Sequence, residues 1–200
     1  MTILWLRHGE TALNAARIMQ PADTPLSARG LAQAAAVAAR LAALRPVAIL
    51  SSDMPRARQT AAALAKATSL PVIEDAVLHE RNFGALRGRP WGELGFDPAA
   101  MAEAPDGGEA MADFLARASA AWARATALRA TLDGRLVVVS HGLLIHAALQ
   151  RHAHWPDGLA LPQRLANTSV CEVTAQAPHR VLRVDCTAHL DGLSSGGGAA

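Results

Sequence analysis

Thr2-Ile3-Leu4-Trp5-Leu6-Arg7-His8-Gly9 opens the chain, and Leu136-Val137-Val138-Val139-Ser140-His141-Gly142 repeats its layout as an apolar run that stops at a His-Gly pair. Runs this short, broken by polar turn residues, read as strands buried on both faces. Residues 27–44 carry Leu31, Ala34, Ala35, Ala38, Leu41 and Ala42 at helical spacing, with Ser27 placed as an N-cap. A second strand is expected at 47–50, a helix at 56–68 and a third strand at Val72-Ile73. Residues 109–132 place Phe114, Leu115, Ala118, Ala121, Trp122, Ala125 and Leu128 on one stripe, read as core, and a further helix is expected at 143–151. Runs at 169–174 and 181–186 flank Gln176-Ala177-Pro178-His179 as a closing hairpin. Strands alternating with helices specify an α/β domain with a mainly parallel sheet, whose ligands sit at the carboxyl ends of the strands. Both His-Gly pairs fall on that edge.

The 200 residues suit one domain, read here as residues 1–193. An excursion at 79–108 is broken at Gly84, Gly88-Arg89-Pro90, Asp97-Pro98 and Pro105-Asp106-Gly107-Gly108, and residues 194–200, rich in Gly, Ser and Ala, read as a flexible tail. Hydrophobic residues make up 51% of the chain, but 46 are Ala, so Leu and Val must fill the space between Ala-rich helices. A net charge of +2 gives no field that would argue for nucleic acid or a membrane surface. Cys171 and Cys186 are too few for a disulfide framework, and no apolar run approaches the roughly 20 residues of a membrane span, so a cytoplasmic protein is expected. The 18 Arg against one Lys are treated as background composition.

The strand ends bring Arg7, His8, Arg56 and His141 together as a cationic cup. Guanidinium forks match the oxygens of a phosphoryl group bidentately, and an imidazolium adds another charge-assisted bond. Gly9 and Gly142 let the backbone approach closely. Neither a Gly-x-x-x-x-Gly-Lys loop nor a Gly-x-Gly-x-x-Gly fingerprint occurs, which argues against nucleoside triphosphate and dinucleotide folds.

Leu6-Arg7-His8-Gly9-Glu10-Thr11 with Asn14 resembles the signature of the histidine phosphatase superfamily, which includes the cofactor-dependent phosphoglycerate mutases. The resemblance continues in order through residues 51–61, beginning Ser51-Ser52-Asp53-Met54-Pro55-Arg56, through His79-Glu80-Arg81-Asn82-Phe83-Gly84, and through Val139-Ser140-His141-Gly142. It spans about residues 2–174 and implies a three-layer α/β/α sandwich with a mixed, mainly parallel sheet. It implies His8 as nucleophile, Arg7, Arg56 and His141 as phosphate clamp, and Glu80 as proton donor. Asn14, Thr11, Gly142 and Thr168 (within Asn167-Thr168-Ser169) are implied as substrate contacts. It further implies a small-molecule phosphate ester as ligand and neither metal nor cofactor. The sequence leaves the oligomeric state open.

Blander readings stand beside these. Glu80 also reads as a solvated loop carboxylate paired with His79 or Arg81, and Arg58 falls on another helix face from Arg56. His146, His152 and His154 are read as structural or exposed, and Arg87 and Arg89 as loop surface or as contacts to a substrate's outer part. No Lys or Arg occurs from Trp91 to Ala116, where the resembling mutases carry basic residues, and Pro105-Asp106-Gly107-Gly108-Glu109 resembles the phosphatase branch. A phosphatase, broad in specificity or acting on α-ribazole phosphate, is therefore expected over a mutase. A non-catalytic binder of phosphate ligands is the third possibility.

Overall fold

The computed structural model describes residues 1–193, so the tail expected at 194–200 lies outside the described residues. The strands are β1 (Thr2–Arg7), β2 (Pro46–Ser51), β3 (Val72–Glu74), β4 (Arg135–Ser140), β5 (Val170–Thr174) and β6 (Val181–Cys186). They form one sheet in the order β3-β2-β4-β1-β5-β6. β1, β2, β3 and β4 run parallel, while β5 and β6 are antiparallel, closing the sheet as the hairpin expected from the sequence. The helices are α1 (Ala12–Ala15), α2 (Ala28–Ala42), α3 (Pro55–Thr68), α4 (Met111–Ala130) and α5 (Gly142–His152).

Alternation along the strands divides the core into two layers. Leu4, Leu6, Ile49, Val137 and Val139 face Val37, Ala38, Leu41, Ala57, Ala61 and Leu64 of α2 and α3. Ile3, Trp5, Leu50, Leu136 and Val138 face α4 and α5. The result is a three-layer α/β/α sandwich with a mixed, mainly parallel sheet. Trp122 of α4 stacks on Trp5 with centroids 5.7 Å apart, so its place on the stripe is one of core packing.

One helix face departs from expectation. Leu31 is 50% exposed and Ala35 is exposed, while α2 buries Gly30, Gln33, Ala34, Val37, Ala38 and Leu41. A polar residue enters the face because the Gln33 side-chain oxygen accepts the Glu10 backbone N–H at 2.9 Å, satisfying a loop donor that would otherwise be buried unpaired. Gly30 enters because α2 presses against that same loop.

The excursion holds only single 3-10 turns at Gly84–Leu86 and Trp91–Glu93. It is anchored by the buried Arg81, whose guanidinium donates to the carbonyls of Glu109, Pro98 and Met101. Arg81 thus spends its donors on loop backbone.

Candidate active site

Parallel strands end together, and β1, β2 and β4 deliver Arg7-His8, Ser52 and His141 to one edge of the sheet. His8 leaves β1 with its N–H donating to the Ser140 carbonyl at 3.0 Å, and its own carbonyl accepts from the Thr168 N–H and the Asn167 side chain, each at 3.2 Å. Its backbone is held on three sides. The ring is 2% exposed, and Nδ1 lies 2.7 Å from the Gly9 carbonyl. A carbonyl can only accept, so Nδ1 carries the proton and Nε2 presents a lone pair. Burial, reinforced by the charges of Arg56 and then Arg7, holds the His8 pKa well below the usual imidazole value, outweighing the Gly9 bond that favours the cation.

His141 follows β4 with its ring centroid 5.2 Å from that of His8 and the planes tilted by 59°. It is fully buried, and burial, Arg56, His8, His79 and Arg7 together keep it neutral at ordinary pH. Arg56 sits one residue after the Pro55 that opens α3, a position suited to proline's fixed φ. Its Nη1 donates to the carbonyls of both Pro21 and Ala22, at 3.3 and 3.2 Å, while Nη2 lies 3.3 Å from Sδ of Met54. Burial lowers its pKa to about 10, which leaves it charged at neutral pH. Arg7 donates to the Leu165 carbonyl. The Nε atoms of Arg7 and Arg56 and Nδ1 of His141 are buried without a hydrogen-bond partner among the described residues. Buried polar atoms are rarely left unpaired, so two guanidinium Nε–H groups and an unpaired ring nitrogen beside the neutral His8 mark a place for an anion rich in acceptors.

Glu80 comes from the excursion and faces the same cavity. One oxygen accepts the Arg81 N–H at 3.0 Å and the other the Leu143 N–H at 3.1 Å. A carboxylate at the first turn of α5 is favoured by the unpaired N–H groups and dipole there. The alternative pairing with its neighbours does not occur, because His79 pairs with Asp53 and the Arg81 guanidinium is committed to carbonyls.

The family described as "Histidine phosphatase superfamily (branch 1)" matches residues 3–185. The chain belongs to the histidine phosphatase superfamily. It is 38% identical to a metal-independent phosphoserine phosphatase of Arabidopsis thaliana over 74% of this chain and 67% of the relative. It is 34% identical to the probable phosphoglycerate mutase GpmB of Proteus mirabilis over 88% of this chain and 86% of that protein. A mycobacterial glucosyl-3-phosphoglycerate phosphatase solved with VO3 superposes with a TM-score of 0.71 at 32% identity, covering 86% of this chain and 92% of the other. Relatives named for hydrolysis and for transfer thus both occur, and phosphoryl chemistry is what they share.

In this member of the superfamily, Arg7, His8, Asn14, Arg56, Glu80 and Gly142 line one cavity of about 290 Å3. His141 lies beneath its floor, packed against His8. A Cβ on Gly142 would stand 3.3 Å from Nε of Arg7, so the glycine leaves room for that guanidinium. Thr11 and Thr168 do not reach the cavity, which corrects their placement as substrate contacts. Thr11 is fully buried, caps α1 and donates to the Gln20 side chain at 2.8 Å. The fully buried Thr168 hydroxyl donates to the Asn167 carbonyl at 2.7 Å and meets His189 Nε2 at 3.0 Å. Its neighbour Asn167 lines the cavity instead and bonds the Asn14 side-chain oxygen at 3.2 Å.

The outer cavity adds Arg17 and Arg164, which the sequence reading did not name, to Arg87, which it allowed as a contact to a substrate's outer part, and to His146, which it took as structural or exposed. His146 lines the cavity, and burial lowers its pKa against the opposing influence of the Pro162 backbone. Its spacing of five from His141 argued against a shared face, but it stands one helical turn beyond Gly142, and i,i+4 positions do share a face. Arg17, Arg87 and Arg164 line the same wall, and the Arg164 guanidinium lies 4.6 Å over the Trp91 ring. Arg164 sits in a connecting segment with no local signal. His152 bonds Ser119 at 2.9 Å and packs on Trp122, away from the cavity. Among the described residues no group of His, Cys, Asp and Glu could hold a metal ion, and no helix is long and apolar enough to cross a membrane.

Proposed function

We propose that this protein is a phosphomonoesterase that hydrolyses a small phosphate ester through a phosphohistidine on His8. The observation that carries the reading is the neutral His8, its Nδ1 proton directed to Gly9 and its Nε2 lone pair bare, beside the unpaired buried nitrogens of Arg7, Arg56 and His141. Nε2 attacks phosphorus, the P–O bond to the alkoxide breaks, and Glu80 supplies the proton that the leaving oxygen takes up. Charge on the equatorial oxygens is offset by the two guanidiniums and the His141 N–H. Glu80, now a carboxylate, takes a proton from water as that water attacks the phosphohistidine, releasing phosphate and restoring His8.

The outer wall favours an ester that carries a second anionic group. Arg17, Arg87 and Arg164 take part in none of the ion pairs found among the described residues. Burial is the main cause of the lowered pKa values of Arg56 and Arg7, and Arg87 adds to it at Arg56 and Arg164 at Arg7, a repulsion that an anion-rich ligand relieves. Relatives named for phosphoserine and phosphoglycerate substrates agree with this.

The same guanidiniums keep a mutase reading in play. The stretch from Trp91 to Ala116 lacks basic residues, yet other segments bring them to the cavity. The deciding measurement is a panel of phosphate monoesters followed both for inorganic phosphate release and for phosphoryl migration between hydroxyls, with and without chelator. Phosphate release, an acid-labile phosphoenzyme and loss of both in His8→Ala are the expected results. Migration without release would make the protein a mutase, and unchanged turnover by His8→Ala would remove His8 as nucleophile.

A further inference from the structure

Ser52 belongs to the stretch that joins β2 to α3, and nothing above gives it a part in the chemistry. It is fully buried, and its N–H donates to the Val139 carbonyl at 2.9 Å, which fixes it beside the end of β4. Its carbonyl accepts the Ser51 hydroxyl at 2.8 Å, so the backbone on either side is held. The Ser52 hydroxyl oxygen lies 2.9 Å from Nε2 of His141 and 3.3 Å from the Met54 backbone N–H.

A hydroxyl has one proton to give and two lone pairs to receive. The Met54 N–H occupies one lone pair. If Nε2 of His141 carried the ring proton, Ser52 would accept twice and its own proton would have no acceptor in a buried place. Nδ1 of His141 would then be a buried lone pair without a donor, since it has no partner among the described residues. If the Ser52 proton instead points at Nε2, every atom of the hydroxyl is used and the ring proton must sit on Nδ1. The ring then carries its free donor on the one nitrogen that has no partner among the described residues, which is what a phosphoryl oxygen requires. The surroundings keep the ring from taking a second proton. Burial is the largest influence, followed by Arg56, His8, His79 and Arg7, and each disfavours the cation.

We propose that Ser52 is a positioning residue that sets the tautomer of His141, so that an Nδ1–H and not a lone pair faces the substrate phosphoryl group. The role is distinct from capping, because it acts through the ring on an atom that Ser52 does not touch. It rests on the phosphoryl-binding reading of the cup, but its test needs no turnover.

Nitrogen-15 shifts of the histidine rings in the ligand-free protein decide it. The expected spectrum has His141 protonated on Nδ1 and unprotonated on Nε2, assigned by its loss in a His141 variant. In Ser52→Ala that pattern should give way to the opposite or a mixed tautomer. Affinity for inorganic phosphate should fall about 10- to 100-fold, by analogy with the loss when a partner that orients a metal-ligating imidazole is removed. A His141 protonated on Nε2 in the wild type would overturn the proposal, as would Ser52→Ala leaving both tautomer and phosphate affinity unchanged. The wild-type spectrum decides alone should the variant fail to fold. If the panel of esters showed no turnover, the proposed reaction would fall while the tautomer still decided the part played by Ser52.

Discussion

The Glu80 carboxylate and the Leu143 backbone N–H are hydrogen-bonded at 3.1 Å, joining the excursion to the first turn of α5 across 63 positions of sequence. The contact holds the acid over the cavity without neutralising it by a cation. If Glu80 protonates the leaving oxygen, its removal must hurt in proportion to how badly the leaving group needs a proton. Glu80→Gln, which keeps the shape, should lower kcat for an alkyl phosphate by about 10²- to 10⁴-fold. With 4-nitrophenyl phosphate, whose leaving group is stable as an anion, the loss should be far smaller. Equal losses on both esters would show that Glu80 is not the proton donor.

The two buried imidazoles make stability depend on pH. In the folded protein His8 and His141 titrate well below their unfolded value near 6.5, burial being the main cause for each. Below that value the unfolded chain binds protons that the folded one does not, so stability is complete above about pH 6.5 and is lost as pH falls. Each imidazole should contribute about 1.4 kcal/mol per pH unit of acidification until its folded pKa is reached. Urea midpoints measured from pH 7.5 to 5 should fall on acidification, and less steeply for His8→Asn. A midpoint that is flat over this range would contradict the neutral, buried state assigned to both rings.

Much of this arrangement was legible in the sequence, and the boundary of what was legible has a physical cause. Strand ends are local events, so Arg7, His8, Arg56 and His141 could be placed on one sheet edge from apolar runs and their breaks. The resemblance to known members added Glu80, which no periodicity places. Thr168 was misread because a segment between elements has no period that says which of three consecutive side chains points inward, and Asn167 is the one that does. Leu31 was misread because spacing cannot show that the loop at Glu10 needs a polar partner from α2, a need met by Gln33. Arg17 and Arg164 meet only through tertiary structure.

Gly30 should tolerate no side chain, against the usual rule for helices. Glycine inside a helix costs roughly 0.5–1 kcal/mol relative to alanine, so Gly30→Ala would ordinarily stabilise. Here a Cβ would stand 2.0 Å from the Glu10 carbonyl oxygen, and one on Gly9 would stand 2.6 Å from the Gly30 carbonyl. Both clashes are with backbone, so the loop carrying the Gly9 carbonyl that orients His8 would have to move. Gly30→Ala should destabilise the fold by about 1–3 kcal/mol, as overpacking does, and should lower kcat as well. Thermal melting with kinetics on the same sample checks both, and an unchanged or raised melting temperature would show that α2 can retreat without cost.

Arg164 provides the sharpest test of the outer cavity, because its guanidinium carbon stands 4.6 Å over the Trp91 ring centroid and its side chain lines the cavity. Stacking pre-orients a planar group at little entropic cost, which a lysine cannot reproduce. If this guanidinium binds an anionic group remote from the phosphorus, it grips ground state and transition state alike, and such uniform binding appears in KM and not in kcat. For an ester bearing a carboxylate, Arg164→Ala should raise KM about tenfold or more, the worth of a hydrogen bond to a charged group, with kcat nearly kept. Arg164→Lys should recover little of the loss, and Trp91→Ala should show a smaller rise in KM. An aryl phosphate without a second charge should be handled equally by all four proteins. Should the carboxylate ester and the aryl phosphate suffer alike, Arg164 would be serving the phosphoryl cup, and the second anionic group would have to be withdrawn from the substrate.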